Sequence, residues 1–80
     1  MKKIMFFFPL IYIGGTETAL LSLVKKLKGY DVYVGYANEN SDKGMLEEFS
    51  KYTKVVNVEK EESIEVDYLV SCSMRFHLYD

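Results

Sequence analysis

Gly14-Gly15-Thr16-Glu17 is the segment of this chain whose residue types and spacing could do chemistry. Two adjacent glycines let a backbone turn tightly and approach a ligand, and a helix beginning there aims unpaired N–H groups at the same point. Such a corner suits an anion, although a tight turn that touches no ligand also needs glycine. Glu17 complements the positive end of a helix, yet as an anion it repels a phosphate placed too near, so it orients the loop or meets a ligand hydroxyl. Arg75 and His77 follow the last apolar segment, where open α/β sheets bind ligands outside the carboxyl ends of their strands. Arg75 there could touch an acceptor anion, and His77 could do acid or base work. Neither has a partner visible in the sequence, and a lone histidine near a terminus reads first as a solvated side chain. Cys72, between Ser71 and Ser73, has no base placed to activate it and reads as buried packing.

The elements that would position these groups are legible from periodicity. Lys3 to Pro9 is apolar on both pleat faces, with Ile4, Phe6 and Phe8 on one side and Met5, Phe7 and Pro9 on the other. A strand apolar on both faces belongs inside a parallel sheet. Thr16 is the expected N-cap of the first helix; Leu20, Leu23, Val24 and Leu27 recur at helical spacing, Lys25, Lys26 and Lys28 finish it, and Gly29 stops it. Tyr30 to Ala37 alternates as a second strand and ends in the polar turn Asn38 to Asp42. A second helix from Gly44 to Tyr52 turns Met45, Leu46 and Phe49 inward. Lys54 to Val58 and Val66 to Cys72 complete four strands. Tyr30, Tyr33, Tyr36 and Tyr68 could stack on a flat ligand, but their strand positions favour core packing.

The expected fold is α/β: a Rossmann-like open parallel sheet of order 3-2-1-4 built as β-α-β-α-β-β, an incomplete domain over residues 1–80, with both helices on one face. The first strand needs cover on its other face. The loop from Glu59 to Glu65 looks too short and polar to supply it, which points to a C-terminal continuation, a partner chain or self-association through that face.

Composition excludes several function classes. Eighty residues make one domain, and a chain this short buries only about 60% of its unfolded surface. A net charge of −2 and a pI near 5.4 give no basic footprint for nucleic acid. The single cysteine, Cys72, precludes an internal disulfide or a cysteine metal cluster and fits a reducing, cytoplasmic compartment. The acidic run Glu59 to Ser63 reads as a solvated connector, because nothing spaces its carboxylates around one metal. Met1-Lys2-Lys3 before an apolar stretch imitates a signal peptide, but Pro9 interrupts it and no small-x-small cleavage site follows. The stretch is about half the length needed to span a bilayer, so no transmembrane segment is expected.

The run Lys3-Ile4-Met5-Phe6-Phe7-Phe8-Pro9, then Gly14-Gly15-Thr16-Glu17, then Ala19-Leu20-Leu21-Ser22-Leu23-Val24-Lys25-Lys26-Leu27 and Tyr30-Asp31-Val32-Tyr33-Val34, resembles the start of a family 4 glycosyltransferase. The resemblance is good from Lys2 to Gly35, weakens through the second helix, and returns at Val66-Asp67-Tyr68-Leu69-Val70-Ser71. It implies a GT-B architecture, with two Rossmann-like domains facing a cleft: the N-terminal one holds the acceptor and the C-terminal one the nucleotide-sugar. In that family the glycine corner lies beside the donor diphosphate, so Gly14, Gly15 and Thr16 would approach it. Glu17 would then orient the loop or meet a sugar hydroxyl.

The resemblance further implies no bound metal or other cofactor in that role, a nucleotide-sugar as substrate of the parent enzyme, and a glycan or glycolipid of the cell surface as acceptor. Peripheral membrane association of such a parent enzyme is compatible with these features. The donor domain, with the pair of glutamates that contacts the donor, and the usual catalytic position of the N-domain have no counterpart in the sequence. This polypeptide is therefore expected not to transfer sugar alone. Two other readings stand beside it: a small non-enzymatic α/β module that binds a partner through its open sheet face or last strand, and dinucleotide binding. For the latter, Glu39 would sit near a ribose, but neither Leu10 nor Tyr12 supplies the early glycines of G-x-G-x-x-G.

Overall fold

In a computed structural model that describes residues 1–12, 14–61 and 63–72, the chain forms β1 (Lys2–Phe8), α1 (Gly15–Val24), β2 (Tyr30–Tyr36), α2 (Lys43–Ser50), β3 (Lys54–Asn57) and β4 (Tyr68–Ser71). All strand pairs are parallel and the sheet order is β3-β2-β1-β4. The Rossmann-like α/β fold expected from periodicity is the fold observed. In register, Phe6 lies between Val34 and Val70, and Phe7 between Gly35 and Ser71. Among the described residues no helix is long and apolar enough to cross a membrane.

The core lies between the sheet and the two helices. Phe6 and Phe8 from β1, Val32 and Val34 from β2, Leu20 and Val24 from α1, and Met45 and Phe49 from α2 form one buried cluster with Ile11. The Phe8 and Phe49 rings meet at a centroid distance of 6.2 Å and a tilt of 40°, within the range favoured by aromatic quadrupoles. Helical geometry selects which α1 residues join this core. Glu17, Leu20 and Val24 are buried and Leu21 is half-buried, so Leu23, at the expected spacing, falls off the contact stripe and is 48% exposed.

The first helix is shorter than its pattern suggests. Its N-cap is Gly14 rather than Thr16, which sits inside the first turn. Lys25, Lys26 and Lys28 lie beyond its last residue, Val24, and Gly29, at φ +83°, turns the chain into β2, a conformation that L side chains rarely adopt. The second helix is capped as its sequence allows: the Asp42 carboxylate accepts the Met45 N–H at 2.8 Å.

The second face of the sheet is partly covered: the loop from Glu59 to Glu65, short and polar, contributes Ile64 as its apolar residue, and Val58 and Val66 on either side of it supply the rest. Strand order runs outward from β1 to β3 and then returns to β4, so a right-handed crossover must carry the β3–β4 connection over the face opposite the helices. Val58, Ile64 and Val66 from that connection meet Met5, Phe7 and Leu69 around an apolar groove of about 400 Å³. Met5 is consequently only 4% exposed, whereas Leu69 on the edge strand is 65% exposed. Gly35 permits this packing, since a Cβ there would stand 2.9 Å from Met5 Sδ and 3.2 Å from Val58 Cγ1. Of the four tyrosines, Tyr36 packs against the core and Tyr33 lies beneath Lys54 Nζ, 5.4 Å from its ring centroid. Tyr30 and Tyr68 are surface residues, because the ends of β2 and the edge strand β4 lack neighbours that would enclose them.

Candidate functional site

The corner after β1 is fixed by the loop after β2. Pro9 ends the strand, and its carbonyl accepts the N–H groups of Ala37 at 3.3 Å and Asn38 at 2.9 Å. Two residues on, the Ile11 N–H donates to Ser41 Oγ at 3.0 Å and the Ile11 carbonyl accepts the Asp42 N–H at 2.6 Å. Ser41 in turn donates its hydroxyl to the Asn38 carbonyl at 2.8 Å. Ile11 is fully buried beneath these bonds. An irregular segment can be buried this way because its backbone groups find partners. In the sequence Asn38 to Asp42 reads only as a polar turn, and Ser41 is marked there by no more than a hydroxyl immediately before the Asp42 N-cap.

The two glycines of the corner have different reasons to be glycine. Gly14 is extended, with φ −160°, so its backbone suits any residue. What disfavours a side chain is proximity: a Cβ would lie 3.0 Å from Glu17 Oε1, close enough that the carboxylate would have to shift, and 3.7 Å from the Tyr12 ring. At Gly15 a Cβ would meet nothing within 4 Å, and the residue is exposed at the start of α1. The open approach is therefore over Gly15, at the positive end of the helix. Thr16 follows half-buried in the first turn.

Glu17 is the unusual group of the site. It stands third in α1, the position from which a glutamate commonly reaches back to cap its own helix entry. Here the carboxylate reaches further back: Oε2 accepts the Tyr12 N–H at 3.4 Å. The side chain is only 3% exposed, and Oε1 is buried with no hydrogen-bond partner among the described residues. An unmet buried acceptor carries a penalty of about 1–3 kcal/mol.

Cys72 faces the same corner from the end of β4. Its N–H donates to the Phe7 carbonyl at 2.7 Å, and its side chain packs half-buried against the core. Burial raises the thiol above its ordinary range, and the Glu17 carboxylate raises it further. The thiol thus stays protonated at neutral pH and is a poor nucleophile. Arg75 and His77 lie outside the described residues.

β1 departs toward β2 on one side, while β4 returns on the other side of β1. The corner and Cys72 therefore flank the point where strand order reverses, the crevice in which open α/β sheets receive ligands. A second, polar cleft of about 610 Å³ lies at the carboxyl ends of β2 and β3, lined by Asn38, Glu39, Asn57 and Lys60 among others. Asn38 Oδ1 accepts the Asn40 N–H at 2.8 Å and Asn57 Oδ1 the Glu59 N–H at 2.9 Å, which fixes both carboxamides at the rim. Glu39, placed near a ribose by the dinucleotide reading, lines this cleft rather than the glycine corner. Among the described residues no three His, Cys, Asp or Glu side chains converge as a metal site would require. No protein-family model, curated protein or solved structure matches the chain.

Proposed function

We propose that this chain is the acceptor-side, N-terminal portion of a glycosyltransferase that moves a sugar from a nucleotide-sugar to a glycan or glycolipid. In this reading Gly14, Gly15 and Thr16 form the wall that faces the donor diphosphate. The observation that carries it is the placement of an open glycine, Gly15, at the start of α1 and beside the reversal of strand order. Negative charge grows on the diphosphate as the bond to the sugar breaks. Backbone N–H groups and a positive helix end fixed in advance stabilise that charge without reorganising.

The remaining geometry is consistent with an acceptor-side half. Asn and Glu side chains at the rim of the 610 Å³ cleft offer the donors and acceptors that sugar hydroxyls need. Tyr68, Leu69 and Val70 of β4 are exposed on a sheet edge, the position at which further strands of a complete Rossmann-like domain add.

The test is a titration of the isotope-labelled chain with UDP and, separately, with NAD, followed by amide chemical shifts. UDP is expected to move the amides of Gly14, Gly15 and Thr16. Shifts with NAD and none with UDP would overturn the reading in favour of a dinucleotide site.

A further inference from the structure

We infer that Glu17 is a built-in gate on the glycine corner, an internal anion that an incoming diphosphate must displace. The inference rests on the proposed donor-facing role of the corner and concerns how that site opens. Three observations converge. The carboxylate is folded back against the loop, close enough to Gly14 that a Cβ there would stand 3.0 Å from Oε1. Its other oxygen takes the Tyr12 N–H, a donor of the same loop. Oε1 itself is buried with no partner among the described residues, in a side chain 97% removed from solvent by its 3% exposure.

This closed arrangement is held weakly. One long hydrogen bond of 3.4 Å is set against an unmet buried acceptor, so rotation of the side chain into water forfeits only that bond, a modest cost that an incoming anion must supply. Rotation has a consequence for the ligand. While Glu17 is tucked in, its negative charge stands at the same helix end that would stabilise a diphosphate, and like charges a few ångströms apart oppose binding. Once it turns outward, the Tyr12 N–H and the positive end of α1 are left without a competing carboxylate. Burial and, after it, the Glu17 charge both raise the Cys72 thiol, which puts that side chain within electrostatic reach of the tucked-in carboxylate.

The experiment titrates inorganic pyrophosphate into the labelled full chain, following the amides of Tyr12, Gly15 and Thr16. Glu17→Gln keeps an acceptor for Tyr12 but removes the charge, and Glu17→Ala removes both. Glu47→Gln, on the exposed face of α2, changes net charge equally and far along the chain. Glu17→Gln and Glu17→Ala are expected to bind pyrophosphate about tenfold more tightly than the unmodified chain, with Glu47→Gln unchanged. In the unmodified chain the Tyr12 amide is expected to shift in step with Gly15, because entry of the anion breaks its bond to Glu17. This second readout needs no substitution. Equal affinity in all variants, or movement of Gly15 without Tyr12, would refute the gate and leave the donor-facing corner intact. No binding by any variant at millimolar pyrophosphate would refute both.

Discussion

Replacing each corner glycine in turn by alanine should change stability in opposite directions, although the positions are adjacent. At Gly14 the extended backbone accepts alanine, and restricting the unfolded chain favours the folded state by about 0.5 kcal/mol. Alanine is a poorer N-cap than glycine by about the same amount, so these two effects nearly cancel. What remains is the new methyl group, 3.0 Å from Glu17 Oε1. The carboxylate must give by a few tenths of an ångström, which stretches its already long 3.4 Å bond to the Tyr12 N–H, and Gly14→Ala should be about 1 kcal/mol less stable. At Gly15 no atom lies within 4 Å of the added Cβ and the residue is already helical. Gly15→Ala should therefore gain about 0.5–1 kcal/mol from helix propensity and a stiffer unfolded chain. In a domain of this size about 1 kcal/mol moves the melting temperature by about 4–8 °C, so the variants should melt on opposite sides of the parent. Thermal unfolding followed by circular dichroism, with urea titration as a check on ΔG, measures both. A Gly14→Ala chain as stable as Gly15→Ala would show that Glu17 does not hold the loop as described.

Two further predictions address the second sheet face and the strand end. Gly35→Ala places a methyl group 2.9 Å from Met5 Sδ and 3.2 Å from Val58 Cγ1, so it should cost about 1–3 kcal/mol by overpacking; an unchanged melting temperature would mean the β3–β4 connection does not press on the sheet. The Cys72 thiol should react with iodoacetamide more slowly at neutral pH than a free cysteine, and its titration should fall toward the ordinary thiol range in Glu17→Gln, where the second cause of the upward shift is gone. The sign for stability follows: the raised thiol favours the folded chain below its unfolded pKa, and that contribution is lost as pH rises through the folded value. Alkylation at the rate of an unfolded cysteine would refute the burial of Cys72.

The elements were legible because each carries its own period. The apolar run of β1, the alternation of Val32 and Val34, and the spacing of Met45 and Phe49 each specify a local geometry without reference to the rest of the chain. Their ends were less legible: Thr16 offers a capping hydroxyl that Gly14 lacks, yet the helix begins earlier, because the corner is set by the hydrogen bonds that tie Pro9 and Ile11 to the loop after β2. Ser41 could not stand out, since a buried hydroxyl and a solvated one look alike in a sequence until the donor it meets is known. The tyrosines mark the same boundary from the other side. Alternation put all four in strands, but only the sheet order reveals that Tyr68 lies on an edge and is half exposed.

By itself the sequence determined the strand and helix inventory, the parallel sheet and its order, and the location of a glycine corner at the end of the first strand. These follow from residue periodicity and from the handedness of crossovers, both of which are local or nearly so. Tertiary structure alone decided that the β3–β4 connection shelters Met5, that Gly14 is reserved for the Glu17 carboxylate while Gly15 is left open, and that one carboxylate oxygen is buried without a partner. Such features depend on which atoms distant elements bring within a few ångströms of one another, and neither composition nor spacing encodes that distance.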